Sequence, residues 1–341
     1  MAMYEQALID TAKALVAPGK GVLAADESTG TIKKRLDSIN VESTEATRQA
    51  YRNLLFTTEG AEQFISGVIL FEETLFQNAD DGTSFARLLA DKGVIPGIKV
   101  DKGAKPLAGS PEEKVTEGLD GLRDRLGEYR EAGARFAKWR AVIDIADDRP
   151  SDYCIHVNAH ALARYAALCQ EAGIVPIVEP EVLMDGANSI ERCEAVTDRV
   201  LDRVFDELKT QRVLLEGMLL KPNMVIAGKQ CPQQAGVEEV ADATLRCLRR
   251  RVPAAVPGIV FLSGGQSDEV ATAHLDAMNK RGPQPWVLSF SYGRALQAPA
   301  LAAWRGEPDN IPAAQQAYYK RARNNGAAAE GRYSPDMEDA A

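Results

Sequence analysis

Histidine is scarce in this chain. There are three in 341 residues, His156, His160 and His274. His156 and His160 lie four apart, a spacing that can ligate metal from one helix face, but no HExxH, H-x-H or Cys/His cluster accompanies them. They read as helix-surface or packing residues, and His274 as packing in an amphipathic helix, so a catalytic zinc is not expected. Cysteine is sparse as well. Cys154, Cys169, Cys193, Cys231 and Cys247 are odd in number and form no C-x-x-C pair. That argues against a disulfide framework and for a reducing compartment. Positive charge is in deficit, with 40 Lys and Arg against 49 Asp and Glu and a net charge of -9. Such a balance disfavours general nucleic-acid binding. It leaves room for a locally basic site that takes a small anion. No stretch approaches the roughly 18 apolar residues of a membrane span. The opening MAMYEQALIDTAKALVAPGK has no signal-type apolar core. A soluble, cytoplasmic protein is the expectation.

What is present is a rhythm. Leu8, Ala12, Leu15 and Val16 share a helical face that stops at Pro18-Gly19. Eight short Val/Ile/Leu-rich runs follow: 21–26, 66–71, 95–100, 135–142, 175–180, 217–222, 258–263 and 285–290. Amphipathic stretches separate them. One carries Leu162, Tyr165, Ala166 and Cys169 before Gly173. Another carries Val237, Val240, Ala241, Thr244 and Leu248 before Pro253. Near-continuous apolar runs suit parallel strands covered on both faces. Eight of them with helices between predict an α/β chain folded as a single-domain (β/α)8 barrel. The rival, a doubly wound open sheet, would call for GxGxxG after an early strand, and that motif is absent. Residues 103–130 are charged and lack a clear strand, so extra loop and helix are expected there. The stretch from about Asn324 is Gly-, Ala- and acid-rich and reads as mobile. The barrel domain is taken as 1–333, with 334–341 a short flexible tail.

Charge gathers at the ends of these runs, where barrels of this type carry their chemistry. Asp26 ends the first, Lys99 and Asp101 the third, and Lys221 the sixth; Arg294 follows the eighth. Side chains two apart on a strand share a face, so Lys138 pairs with Arg140 and Glu179 with Glu181. Charges inside apolar strands are costly unless paired or used. A structural salt-bridge network is the plain alternative, although so many buried charges would contribute little stability. Lys221, in LLKPN, is the candidate nucleophile. An amine attacks a carbonyl only when deprotonated, which apolar surroundings or a neighbouring cation such as Lys138 favour. A surface lysine opening a loop fits that spacing equally well.

Two Gly-rich segments look like anion cradles. LSGGQS (262–267) and FSYGR (290–294) follow the seventh and eighth runs, where barrels often hold phosphate on backbone N–H groups. Each alone is most simply a turn. DESTGTIKKR (26–35) gathers Ser28, Thr31, Lys33, Lys34 and Arg35 as a second cradle, or else a solvated helix start capped by Ser28 or Thr29. Two anion sites across one barrel mouth suggest a substrate phosphorylated at both ends.

The segments GVLAADESTGTIKKR, GIKVDKG, FAKWR, PIVEPE, LLKPNM, FLSGGQS and FSYGRALQ, in this order over roughly residues 4–333, resemble class I fructose-bisphosphate aldolase. The resemblance implies a (β/α)8 barrel that reversibly cleaves fructose 1,6-bisphosphate to dihydroxyacetone phosphate and glyceraldehyde 3-phosphate. It implies no metal and no cofactor beyond a covalent imine with Lys221. Lys221 matches the Schiff-base lysine and Glu179 the acid/base of carbinolamine chemistry, with Glu181 assisting. Lys138 matches the lysine that tunes the amine and handles substrate hydroxyls. Asp26 matches the carboxylate that takes the C4 hydroxyl proton. Ser263, Gly264, Ser291, Gly293 and Arg294 match one phosphate site. Ser28, Thr31 and Lys99 match the other, with Arg140 nearby. Thr31 stands where the family has serine and keeps the hydroxyl.

Eukaryotic members of that family carry a longer tail ending in a tyrosine that shuttles the enamine C3 proton. The last tyrosine here is Tyr333, so either another group is expected to move that proton or the step to be slower. The resemblance also implies a sugar bisphosphate as partner and a homotetramer, with neither nucleic acid nor membrane. Alternatives within the chemistry are Schiff-base cleavage of sedoheptulose 1,7-bisphosphate or fructose 1-phosphate. From another class comes an idle barrel scaffold, which would not need Lys221, Glu179, Lys138 and Asp26 together.

Overall fold

A computed structural model of the chain describes residues 3–339. Among them ten strands form, eight of which close a parallel barrel. The barrel strands are β1 (Gly21–Ala25), β2 (Ile65–Leu70), β3 (Ile95–Lys99), β6 (Phe136–Ile143), β7 (Val175–Val182), β8 (Leu219–Leu220), β9 (Gly258–Phe261) and β10 (Val287–Tyr292), and β10 returns to pair with β1. Each coincides with one of the eight apolar runs. Barrel strands are covered by helices outside and by one another inside, so the runs had to be apolar on both faces.

Helices α1 (Glu5–Leu15), α2 (Thr29–Asp37), α3 (Glu45–Thr57), α4 (Glu72–Leu75), α5 (Phe85–Asp91), α6 (Leu122–Glu131), α7 (Asp152–Glu171), α8 (Ile190–Thr210), α9 (Val237–Arg251), α10 (Asp268–Lys280), α11 (Arg294–Trp304) and α12 (Ile311–Ala329) surround it. None is long and apolar enough to cross a membrane among the described residues.

The core has two parts. The larger lies between barrel and helices. The smaller lies inside the barrel and is closed from below by α1, whose Leu8, Ala12 and Leu15, with Val16, meet Val22, Ile69, Phe136, Val175, Ile177, Leu219 and Val260. Close approach requires glycine here. A Cβ on Gly258 would lie 2.5 Å from Val16. The plug fills one end of the barrel and leaves the strands' C-terminal end for chemistry.

Two expectations fail. Residues 104–107 and 110–116 form an antiparallel ribbon, β4 (Ala104–Leu107) and β5 (Ser110–Thr116), where loop and helix were expected. Helix α6 does follow it. The ribbon is held to α7 through buried Glu113, which accepts from the Ser151 N–H at 2.8 Å. The stretch from Asn324 is packed rather than mobile. Asn324 and Asn325 are fully buried in α12, Asn325 donating to the Arg321 carbonyl and accepting from Thr272. Of the expected tail, Pro335–Glu338 makes a 3-10 turn and Glu338 pairs with buried Arg321 at 2.6 Å. Residues 340–341 lie outside the described residues.

Candidate active site

The inner core sets which way the strand-end charges face. On β6, Phe136 points into the barrel, so two-residue alternation carries Lys138 and Arg140 inward. On β7, Val175 and Ile177 point inward, and Glu179 and Glu181 follow. On β8, Leu219 leads to Lys221, and on β1, Val22 and Ala24 lead to Asp26. Parallel register sets Arg140 beside Glu179 and Lys99 beside Lys138. The residues that fill the barrel floor thus bring the charges above it into one cleft.

Every residue matched to a family role lines that cleft, which holds about 340 Å³: Asp26, Ser28, Thr31, Lys99, Lys138, Arg140, Glu179, Glu181, Lys221, Ser263, Gly264, Ser291, Gly293 and Arg294, whereas Lys33 and Lys34 of the second candidate cradle do not. Its centre is a buried chain of alternating charge. Lys138 Nζ lies 2.7 Å from Asp26 and 3.4 Å from Glu179, and Lys221 Nζ lies 3.2 Å from the other oxygen of Glu179. Arg140 pairs with Glu181 at the mouth.

Burial opposes charge on Asp26, but the fields of Lys138, Lys221 and Lys99 outweigh it and hold the carboxyl well below its ordinary range. Glu179 is likewise buried yet lowered, by Lys221, Lys138 and Arg140. Burial opposes charge on Lys138 too. The carboxylates Asp26, Glu179 and Asp101 overcome it and push the ammonium's value upward, so it stays protonated across neutral pH. Arg140 is raised the same way, chiefly by Glu181.

Two polar patches flank the chain of charges. After β9, Gly265 adopts φ +77° in a turn where a Cβ would sit 2.1 Å from Met184. Ser263 and Gly264 thereby face the cleft. Ser291 Oγ is buried with no protein partner, an orphaned hydroxyl beside them. Arg294 is the first residue of α11 rather than part of a loop, and it donates to the Gln266 carbonyl. Across the mouth, Ser28 occupies the N-cap position of α2 without capping it; its hydroxyl meets that of Thr31 at 3.1 Å. Arg35 joins this side, whereas Lys33 turns away to Asp37 at 2.7 Å.

Sequence reasoning passed over several residues. Glu27 is buried, pairs with Arg52 at 2.6 Å and also holds Arg35. Asp101, noted only as a strand-end charge, accepts from the backbone N–H of Arg140 and lies 3.7 Å from Lys99. Lys229 lines the rim and pairs with Asp185. Alternation could have found Asp101, which shares parity with Lys99. Nothing local marks Glu27 or Lys229. His156 and His160 lie on the outer side of α7 against Glu207, at 3.4 and 3.1 Å. Among the described residues no group of three or more His, Cys, Asp or Glu is arranged to hold a metal ion.

The family model for glycolytic fructose-bisphosphate aldolase class-I matches residues 7–341. The chain belongs to this family. Among its aldolase relatives, the "Probable fructose-bisphosphate aldolase class 1" of Xanthomonas campestris pv. campestris is 59% identical, covering 97% of this chain and 99% of its own. Fructose-bisphosphate aldolase C-B of Danio rerio is 54% identical over 97% of this chain and 92% of its own. The solved fructose-bisphosphate aldolase of Plasmodium falciparum, in complex with TRAP and a small-molecule inhibitor, superposes with a TM-score of 0.96 at 53% identity, covering 98% of this chain and 97% of that one.

Proposed function

We propose that this aldolase reversibly cleaves fructose 1,6-bisphosphate to dihydroxyacetone phosphate and glyceraldehyde 3-phosphate through an imine on Lys221. The observation that carries the reading is Glu179, one carboxylate between two lysines, Lys221 at 3.2 Å and Lys138 at 3.4 Å. Lys221 must give up a proton before its nitrogen can attack the C2 ketone, and Glu179 is the base within reach. The same carboxyl then returns a proton to the carbinolamine hydroxyl, which leaves as water. Glu181, paired with Arg140, assists from the mouth.

The iminium that forms is the electron sink. Asp26 takes the proton of the C4 hydroxyl, the C3–C4 bond breaks, and its electron pair flows into the iminium to give an enamine. Glyceraldehyde 3-phosphate departs. Protonation at C3 and hydrolysis of the imine release dihydroxyacetone phosphate. Lys138, held charged, keeps Asp26 ionised and faces the substrate hydroxyls. No step calls for a metal, because the iminium supplies the electrophile.

A cradle on each side of the cleft supports a bisphosphate. Ser263, Gly264, Ser291, Gly293 and Arg294 line one side, and Ser28, Thr31 and Lys99 the other, with Arg140 nearby. The orphaned Ser291 hydroxyl is a donor awaiting an acceptor. A homotetramer follows from family resemblance, and light scattering at four chain masses tests it. A cytoplasmic location accords with five unpaired cysteines. Lys221→Met tests the chemistry. Cleavage is expected to vanish while the far-ultraviolet dichroism stays that of the parent; retained cleavage would refute the assignment.

A further inference from the structure

The turn between β9 and α10 hangs on a buried pair that the reaction scheme does not use. His274, on α10 and 4% exposed, places Nδ1 2.6 Å from Oε1 of Gln266. An amide oxygen only accepts, so Nδ1 carries the proton and donates. Burial pushes the imidazole down to about 4, which keeps it neutral at physiological pH. Gln266 is itself buried, and its Nε2 has no protein partner. The bond from His274 is thus the one hydrogen bond made by this side-chain amide among the described residues.

What Gln266 holds is the phosphate side of the cleft. Its backbone carbonyl accepts from Arg294 Nη2. Its N–H closes the turn onto the Ser263 carbonyl at 3.3 Å. Without that bond the buried Gln266 amide must repack against the 262–267 turn, and a shift of the turn's backbone displaces the carbonyl that aims Arg294.

We propose that His274 is a positioning residue that sets the aim of Arg294, and the shape of the 262–267 turn, through Gln266. The proposal rests on the reading that Arg294 holds a substrate phosphate, and the test separates the two. Steady-state cleavage of fructose 1,6-bisphosphate is compared for the parent, Arg294→Ala, His274→Leu, His274→Asn and the double variant His274→Leu/Arg294→Ala.

Arg294→Ala is expected to raise KM about thirtyfold or more. His274→Leu fills the space without a donor and is expected to raise KM about five- to tenfold, with kcat within about twofold. His274→Asn offers an amide N–H and is expected to restore most of the loss. In the double variant, His274→Leu should add nothing to Arg294→Ala. Unchanged KM in Arg294→Ala would remove the phosphate reading itself. A raised KM there, with His274→Leu lowering only the thermal midpoint or adding in full to Arg294→Ala, would overturn the positioning role. Should His274→Leu not fold, Gln266→Met keeps the carbonyl and removes the acceptor. It is expected to give the same rise in KM, and an unchanged value would overturn the proposal.

Discussion

A carboxylate that acts as a base inside a barrel must be kept ionised against its own burial. Lys138 does this for two, Asp26 at 2.7 Å and Glu179 at 3.4 Å. The sign of the resulting pH dependence follows. The folded value of Asp26 lies below its ordinary 3.8, so the folded state binds fewer protons there than the unfolded chain. The stability it contributes is complete above about pH 4 and is lost as pH falls through the folded value. Lys138 is the mirror case: raised above 10.5, it contributes fully below that pH and loses the contribution as pH rises through the folded value. Lys138→Met removes one of the charges that lower both carboxyls, beside Lys221, and leaves the burial that raises them. The acid limb of residual cleavage should therefore move to higher pH. An acid limb at the same pH as in the parent would show that Lys138 does not hold these groups ionised.

Among the elements, α1 has the simplest role, since its apolar face seals the barrel floor. Gly258 admits Val16 at the start of β9, and Gly258→Ala would set a Cβ 2.5 Å from it. Overpacking of this kind costs about 1–3 kcal/mol. The thermal midpoint is expected to fall by several degrees while KM changes little, because the cleft lies at the other end of the strands. An unchanged midpoint would mean that the plug yields freely. This part of the fold was legible from the chain, since eight doubly covered strands and one amphipathic plug both leave apolar patterns. The β4–β5 ribbon was not. It sits over the barrel rim with Lys105, Glu112 and Lys114 in exposed or half-exposed strands, and its anchor is a charge, Glu113, satisfied by Ser151 and Ser110. The end of α12 was hidden for a similar reason. Asn324, Asn325 and Arg321 are polar yet buried, and they pair with Met337, Thr272 and Glu338. No local composition announces such partners. In the cleft, alternation along β6 and β7 exposed the paired charges, whereas Glu27, at the rim of the same cleft, departs from the parity of Asp26 and acts by holding Arg35 and Arg52.

Taken whole, an acidic chain presents a mixed-sign cleft at one end of a barrel whose other end is sealed. The net charge of -9 is carried elsewhere, leaving Lys99, Lys138, Arg140, Lys221 and Arg294 to meet an anionic sugar. The imine serves as electron sink in place of a Lewis acid. Cleavage is accordingly expected to stay at full rate after exhaustive treatment with EDTA, and a loss restored by a divalent ion would contradict the mechanism. The most direct measurement is borohydride trapping. The intact protein is incubated with dihydroxyacetone phosphate, reduced with sodium borohydride, digested, and searched by mass for the modified peptide. A reduced adduct on the peptide that carries Lys221 is the predicted result. A folded protein with no adduct, or with the adduct on another lysine, would contradict it.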